Sequence, residues 1–318
     1  MNQDNLYCSL AFNSISFGPH GGSRPCCALD TYYWNERIHT LQDYKNHLPT
    51  WFNNKEMVNL RKDMLDNNSA CLMCNPTASS LWAKEQEDIN GQVWSNTNLN
   101  WFKEENIIPI VDKLPNLKAI QFAGGEPTIH EAVPALLKRL IEQGRSKDIT
   151  LGFVTNLTSI SDEMLELWSH FSTKHITVSI DGVDKVNEYI RYPFSWKKVT
   201  SQLETIKNIA RQQGDYYINL SHTVTSLNLL TFGDTMKWWE TQVADKGCGI
   251  LTSLPHIQCV NNPSHLDPKY APKELKDKTA VMLSELEIYL NDVGLLDKYK
   301  PPIENISCLL YTSDAADD

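Results

Sequence analysis

Residues 118–127 read Lys118-Ala119-Ile120-Gln121-Phe122-Ala123-Gly124-Gly125-Glu126-Pro127, a short apolar run that ends in two glycines, a carboxylate and a proline. The run predicts a strand, and the tetrapeptide after it a turn at the strand's carboxyl end. Without a Cβ, Gly124 and Gly125 can take positive φ and bring the backbone close to a ligand. Glu126 is then placed to face a cationic amino group, with Pro127 stiffening the turn. The same grammar recurs downstream. Ile149 to Val154 is followed by Thr155-Asn156, His175 to Ile180 by Asp181-Gly182, and two further runs cover Tyr217 to Val224 and Ile250 to Cys259.

Helical spacing fills the gaps. Glu131 to Gln143 puts Leu136, Leu137, Leu140 and Ile141 on one face, and Gly144 is placed to end it. Ser161 is an N-cap candidate for a helix through Met164, Leu165, Trp168 and Phe171. Alternating strands and helices mean repeated βα units and a parallel sheet. A closed TIM barrel takes eight units over about 250 residues, so five or six strands predict an open, partial barrel. Ligands of such folds bind at the carboxyl ends of the strands. Three successive strands deliver Gly124–Pro127, Thr155-Asn156 and Asp181-Gly182 to that end, and this convergence marks the candidate site.

The cysteines supply a second signal. Of eight in the chain, Cys8, Cys26, Cys27, Cys71 and Cys74 fall in the first quarter. Reducing compartments keep thiols free, so such a cluster reads as metal or redox use rather than a disulfide framework. Cys248, Cys259 and Cys308 are scattered and read as small buried hydrophobes. Ahead of Cys26-Cys27, an alternating stretch through Phe12 and Ile15 and a turn at Gly18-Pro19-His20-Gly21-Gly22 predict a thiol-bearing hairpin. Four thiolates with no open position would suit zinc, and this structural metal site on a non-catalytic scaffold is one reading of the chain.

The other reading comes from a resemblance. Cys71-Leu72-Met73-Cys74-Asn75-Pro76, Ser79-Ser80-Leu81-Trp82, Gly124-Gly125-Glu126-Pro127, Thr155-Asn156, Ser179-Ile180-Asp181-Gly182 and Tyr189-Ile190-Arg191-Tyr192-Pro193 occur in the order found in radical S-adenosylmethionine (SAM) proteins. The chain resembles that superfamily, and within it the members that carry a twitch or SPASM-type auxiliary domain. The resemblance implies a partial (β/α)6-type open TIM barrel of parallel strands with a small cysteine-containing N-terminal module. It implies a [4Fe-4S] cluster held by three thiolates, with the fourth iron open to SAM, and an auxiliary iron–sulfur cluster. It also implies an external electron donor and a peptide or protein substrate. Gly124, Gly125, Glu126 and Pro127 would meet the methionine amino group, and Ser179 and Asp181 would hydrogen-bond near the ribose. Asn156 and Arg191 are either site lining or, respectively, a strand-end cap and a surface ion pair; Asp181-Gly182 is also a common turn pair.

One position departs from the family pattern: Asn67 stands where Cys-x-x-x-Cys-x-x-Cys needs its first cysteine. Structural zinc sites, the nearest calibrated case, bind with roughly 10–16 kcal/mol over four ligands, so one thiolate is worth roughly 3 kcal/mol. Either Cys8, Cys26 or Cys27 supplies the third thiolate, or a cysteine-bearing segment near residues 66–71 has been lost. The resulting organisation is a SPASM/twitch-like module over 1–70, a partial barrel over 71–270 and a helical segment over 271–307, including a solvated amphipathic helix from Lys273 to Asn291. Residues 308–318 resemble translated adapter sequence.

Composition excludes other classes. At 318 residues and 41% hydrophobic, the chain has material for a real core. Its formal charge of −10 disfavours nucleic acid as a partner. No apolar run approaches the ~20 residues that span a bilayer, and the start lacks the basic region of a signal peptide, so the expected location is cytoplasmic, away from membranes.

Overall fold

The computed structural model describes residues 102–243, 255–261 and 263–311, with Ser16–Phe17, Ser23–Arg24, Val58 and Lys62. The chain divides into two compact units, Met1–Leu117 and Lys118–Asp318. In the first, β1 (Ser16–Phe17) pairs antiparallel with β2 (Ser23–Arg24), the ladder of the predicted hairpin. Helix α1 (Glu104–Asp112) of the same unit buries Ile107, Ile110 and Val111.

The second unit is built of βα repeats. Strands β3 (Ala119–Phe122), β4 (Thr150–Thr155), β5 (Thr173–Ser179), β6 (Tyr216–Val224) and β7 (His256–Cys259) form one sheet in the order β3-β4-β5-β6-β7, with every pair parallel. Helix α2 (Ala132–Glu142) links β3 to β4, and α3 (Asp162–Ser169) links β4 to β5. Next, α4 (Lys185–Ile190) and α5 (Trp196–Gln213) link β5 to β6, and α6 (Phe232–Gln242) follows β6. Because every crossover advances the same way and such crossovers are right-handed, the helices gather on one face. The result is a curled half-barrel, the expected partial α/β barrel. The first four predicted strands agree with the observed ones to within two residues; of the fifth, expected over Ile250 to Cys259, His256–Cys259 is a strand and residues 250–254 fall outside the described residues.

Parallel strands buried on both faces read as continuous apolar runs. Here they alternate instead. Leu151, Phe153, Ile176, Val178, Ile218 and Leu220 are buried, while the residues between them, Gly152, Thr177, Ser179, Asn219 and Ser221, are half-exposed. The apolar face therefore lies under the helices and the polar face lines the open interior. Phe153 sits at the centre of the covered face, 4.9 Å from Phe122 and 4.7 Å from Trp168 of α3, ring centre to ring centre. The predicted cap of α3 is present, the Ser161 hydroxyl accepting the Met164 N–H at 3.1 Å.

Two further helices close the unit, α7 (Lys273–Asp292) and α8 (Leu296–Tyr311). α7 buries Thr279, Leu283, Leu286 and Leu290 and α8 buries Tyr299, Ile303, Ile306 and Leu310, each set at helical spacing. Glu240 of α6 ties α8 down, accepting from Lys298 at 2.7 Å and from the Tyr299 hydroxyl. Burial and the Glu240 carboxylate both push the Tyr299 hydroxyl far above its usual range. Cys308, expected to be buried, is exposed on α8, because the helix face it shares points away from Ile303, Ile306 and Leu310; Cys259 is half-buried.

Trp168 is fully buried, and its indole Nε1 finds no hydrogen-bond partner among the described residues. Trp168→Ala should cost about 3–5 kcal/mol in chemical denaturation. Trp168→Phe should cost much less, since it also removes the unpaired donor.

Candidate functional site

The ladder between β3 and β4 stops at Phe122↔Phe153, leaving the chain after Phe122 to be held by other means. Gly124 and Gly125 follow with φ of 87° and 60°, a region side-chain-bearing residues rarely adopt. A Cβ built on either would meet nothing within 4 Å among the described residues. The glycines are thus demanded by backbone conformation and not by crowding from those residues.

Glu126 does not point freely into that space. Its Oε1 accepts from the Thr128 hydroxyl at 2.6 Å, the Thr155 hydroxyl at 2.7 Å and the Thr128 N–H at 3.3 Å. Its Oε2 accepts the backbone N–H of Asn156 at 2.8 Å. Pro127 opens the short 3-10 turn Pro127–Ile129 that brings Thr128 round to the carboxylate. The Thr128 hydroxyl also stands 2.8 Å from the Ser159 carbonyl, in the loop after β4. Asn156 itself forms an Asx turn, Oδ1 accepting from the Thr158 N–H at 2.9 Å and hydroxyl at 2.6 Å. Leu157, between them, is buried with a positive φ of 58° and donates its N–H to the Thr155 hydroxyl at 3.1 Å.

At the end of β5, Ser179 is half-exposed on the open face, in register with Ser221. Asp181, two residues on, is buried and engaged on every side. Its Oδ1 accepts the Thr223 N–H at 2.8 Å, its Oδ2 pairs with Arg191 Nη2 at 2.7 Å, and its N–H donates to Asn187 Oδ1 at 2.9 Å. Asn228 donates to the Asp181 carbonyl at 2.9 Å and to the Thr223 carbonyl at 2.8 Å. Asp181 and Arg191, predicted separately, are therefore one ion pair, and a largely buried one rather than a surface pair. Arg191 Nε has no partner among the described residues. Asn187 and Asn228, both fully buried, were not singled out in the sequence. For Asn187 the available signal was asparagine inside a helical run, where it forms helix poorly unless its side chain has other work; Asn228 sits in the turn after β6, where asparagine is common.

Gly182 is explained by crowding and not by a left-handed turn. A Cβ there would lie 2.6 Å from Val186 Cγ1 and 3.1 Å from the Asn187 backbone nitrogen. Only glycine lets α4 approach closely enough for Asn187 to reach Asp181. Beneath this network His222 is fully buried, Nδ1 donating to the Ile180 carbonyl at 2.8 Å. Its Nε2 has no partner among the described residues, so this histidine is half satisfied.

Toward the amino ends of the strands, the open face holds a cavity of about 320 Å³ lined by Gln121, Gly152, His175, Thr177, Tyr217 and Asn219 among others. His175 and Tyr217 stack across β5 and β6 at 4.7 Å. This cavity lies at the opposite end of the strands from the glycine turn.

Cys8, Cys26, Cys27, Cys71 and Cys74 fall outside the described residues, as does the auxiliary module expected over 1–70 apart from its strand pair. Among the described residues no group of three or more metal-ligating side chains occurs. The Cys259 thiol is pushed up to about 11 by burial, with the Asp267 charge adding. The carboxyl ends of the strands thus bring together a glycine turn, two carboxylates held by protein donors and the Asp181–Arg191 ion pair.

Comparison with known proteins decides the family. The sequence profile of the Radical SAM superfamily matches residues 68–240, more than half of the chain, including Cys71, Cys74 and every carboxyl-end residue described above. The chain belongs to the radical SAM superfamily. An uncharacterized protein of Methanocaldococcus jannaschii, MJ0907, is 24% identical over 238 residues, 69% of this radical SAM chain and 81% of its own. Streptococcus suis SuiB bound to S-adenosylmethionine superposes with a TM-score of 0.39 at 11% identity, covering 92% of this chain and 70% of SuiB. Another SuiB crystal structure gives 0.34 at 11% identity, over 92% and 68% of the two chains. These superpositions are too loose to carry residue correspondences. No described helix is long and apolar enough to cross a membrane.

Two outcomes follow from this geometry. Gly182→Ala should cost about 1–3 kcal/mol in thermal unfolding, since α4 must move away from β5. Burial lowers the His222 pKa, with Arg191 adding, against the opposing influence of Asp181 and the Ile180 carbonyl. The folded protein holds the ring neutral, so the unfolded chain protonates first as pH falls. The contribution of His222 is complete above the ordinary value of 6.5 and declines below it. Denaturation between pH 7 and 5 should show this decline, and His222→Asn should flatten it.

Proposed function

We propose that this protein is a radical SAM enzyme whose glycine turn at Gly124–Pro127 receives the amino-acid part of SAM. A [4Fe-4S] cluster is held by Cys71, Cys74 and a third thiolate from Cys8, Cys26 or Cys27. Together these groups supply a 5′-deoxyadenosyl radical, made by one-electron reductive cleavage of a SAM carbon–sulfur bond, for hydrogen abstraction from a substrate. The observation that carries this reading is the delivery of Gly124-Gly125, Asn156 and the Asp181–Arg191 pair to one end of three successive parallel strands, inside the span that matches the superfamily.

The chain's own residues bind and orient. The glycine turn allows backbone approach to the cofactor's methionine part, and Arg191, held by Asp181, stands at the end of the sheet where the ribose would lie. Ser179 on the open face can donate there as well. The auxiliary cluster, the twitch or SPASM character of residues 1–70, and a peptide or protein substrate belong to this proposal on the strength of the motif resemblance. So does an external electron donor. A cytoplasmic location suits a cluster held by thiolates, which need a reducing compartment.

Asn67 favours a second reading, a non-catalytic metal-binding protein on the same scaffold, in which the amino-terminal cysteines form a closed structural site. Anaerobic reconstitution with iron and sulfide, followed by reduction in the presence of SAM, separates the two. The proposal expects brown absorbance and 5′-deoxyadenosine, both lost in Cys71→Ala and Cys74→Ala. Stoichiometric zinc in protein purified in air, with no 5′-deoxyadenosine from the reconstituted sample, would establish the second reading instead.

A further inference from the structure

We propose that the open face of the sheet holds a second binding site, over Gly152, for a flat uncharged ring whose edge carries a hydrogen-bond donor beside an acceptor. Gln121, Gly152, His175 and Tyr217 stand in one row across β3, β4, β5 and β6, each in register with the next. The His175 and Tyr217 rings lie nearly parallel, 8° apart, with their centres 4.7 Å apart. That is the distance between neighbouring strands, so the rings stack at the repeat of the sheet. The next place in the row belongs to Gly152, which has no side chain to fill it. Glycine inside a strand weakens it and marks a close approach by a ligand or by other backbone. A flat group standing over Gly152 would continue the stack, on the face of His175 turned away from Tyr217.

Gln121 forms the far wall. Its Cγ lies 3.2 Å from where a Gly152 Cβ would be, and the side chain is exposed, so it can close on a ligand or swing aside. These residues line the cavity of about 320 Å³, which has room for one small ring system. Its polar groups are not engaged. Among the described residues, the side chains of Gln121, Thr177 and Asn219 have no hydrogen-bond partner, and Asn219 Oδ1 is shielded from water as well. At the carboxyl ends, by contrast, Glu126, Asn156, Asp181 and Asn228 are all held by protein groups. A ligand N–H would relieve the Asn219 oxygen once the amide turns toward the cavity, and the Thr177 hydroxyl and Gln121 amide can donate to the acceptor beside it. Among the described residues no carboxylate, lysine or arginine lines the cavity, so a charged group would find no partner there.

This site does not rest on the cofactor reading above. Four residues separate His175 from Ser179 along β5, roughly 13 Å at the usual strand rise. Neither the glycine turn nor the Asp181–Arg191 pair lines the cavity.

Three probes titrated into the full chain, without iron or SAM, test the site by ligand-observed NMR and by the amide shifts of Gly152 and Thr177. Benzamide is flat and carries both edge groups. Cyclohexanecarboxamide keeps the amide without the flat ring, and methyl benzoate keeps the ring without the donor. Benzamide should bind saturably with a dissociation constant of about 1 mM. The other two should bind about five- to tenfold more weakly. Gly152→Val should weaken benzamide about tenfold or more while the thermal midpoint stays level or rises, because a β-branched residue suits a strand better than glycine. His175→Leu should erase the preference for benzamide over cyclohexanecarboxamide, and Asn219→Leu the preference over methyl benzoate. Benzamide that binds no better than cyclohexanecarboxamide, or that binds Gly152→Val as well as wild type, overturns the proposal. Saturable binding absent up to about 30 mM overturns it too. If Gly152→Val fails to fold, the other two variants decide, and unchanged preferences in both overturn the site.

Discussion

Two carboxylates hold the working end of this half-barrel together by the same device. Each stands just beyond the end of one strand and accepts a backbone N–H from the end of the next: Glu126 from Asn156 at 2.8 Å, Asp181 from Thr223 at 2.8 Å. The β-ladder cannot do this, because strand ends must diverge into loops where a ligand is to enter. A charged acceptor on a backbone donor is worth about 1.5–3 kcal/mol, enough to replace the lost ladder bonds locally. Each clamp is itself backed up, Glu126 by Thr128 and Thr155, Asp181 by Arg191, Asn187 and Asn228. The glycine turn keeps its open face because rigidity comes from below it.

The division of the sheet into two faces follows from the same economy. One face can bury Ile, Val, Leu and Phe under the helices because all crossovers fall on that side. The other carries large polar groups at Gln121, His175 and Tyr217 and small residues at Gly152, Thr177, Ser179 and Ser221. Core packing around Phe153 and Trp168 thereby supports strand ends whose own residues are mostly spent on hydrogen bonds. His222 marks the boundary between the two regimes, with one nitrogen bonded to the backbone and the ring packed 5.6 Å from Phe232.

The fold was legible because strand and helix periods speak locally. The predicted strands, the Ser161 cap and the Lys273 helix all rest on residues within a turn or two of one another, and all are present. The site was legible in its location but not in its wiring. Glu126 and Asp181 each find their main-chain partner on the adjacent strand, 30 and 42 residues away, and no local pattern reports that distance. Gly182 looked like a turn residue because a missing Cβ serves crowding and positive φ alike, and only the position of Val186 tells them apart. Cys308 was misplaced because a small apolar residue fits either face of an amphipathic helix.

The uninterrupted strand order has a kinetic consequence. Among the described residues, every strand of the second unit pairs with those immediately before and after it in the chain, so none of these pairings waits for a distant segment. Each parallel pairing must still bridge a helical crossover, which slows it, but domains form progressively as the chain leaves the ribosome. Such a sheet can be laid down vectorially, each new strand docking on a finished edge. The carboxylate clamps then act as latches that close only when the next strand has arrived.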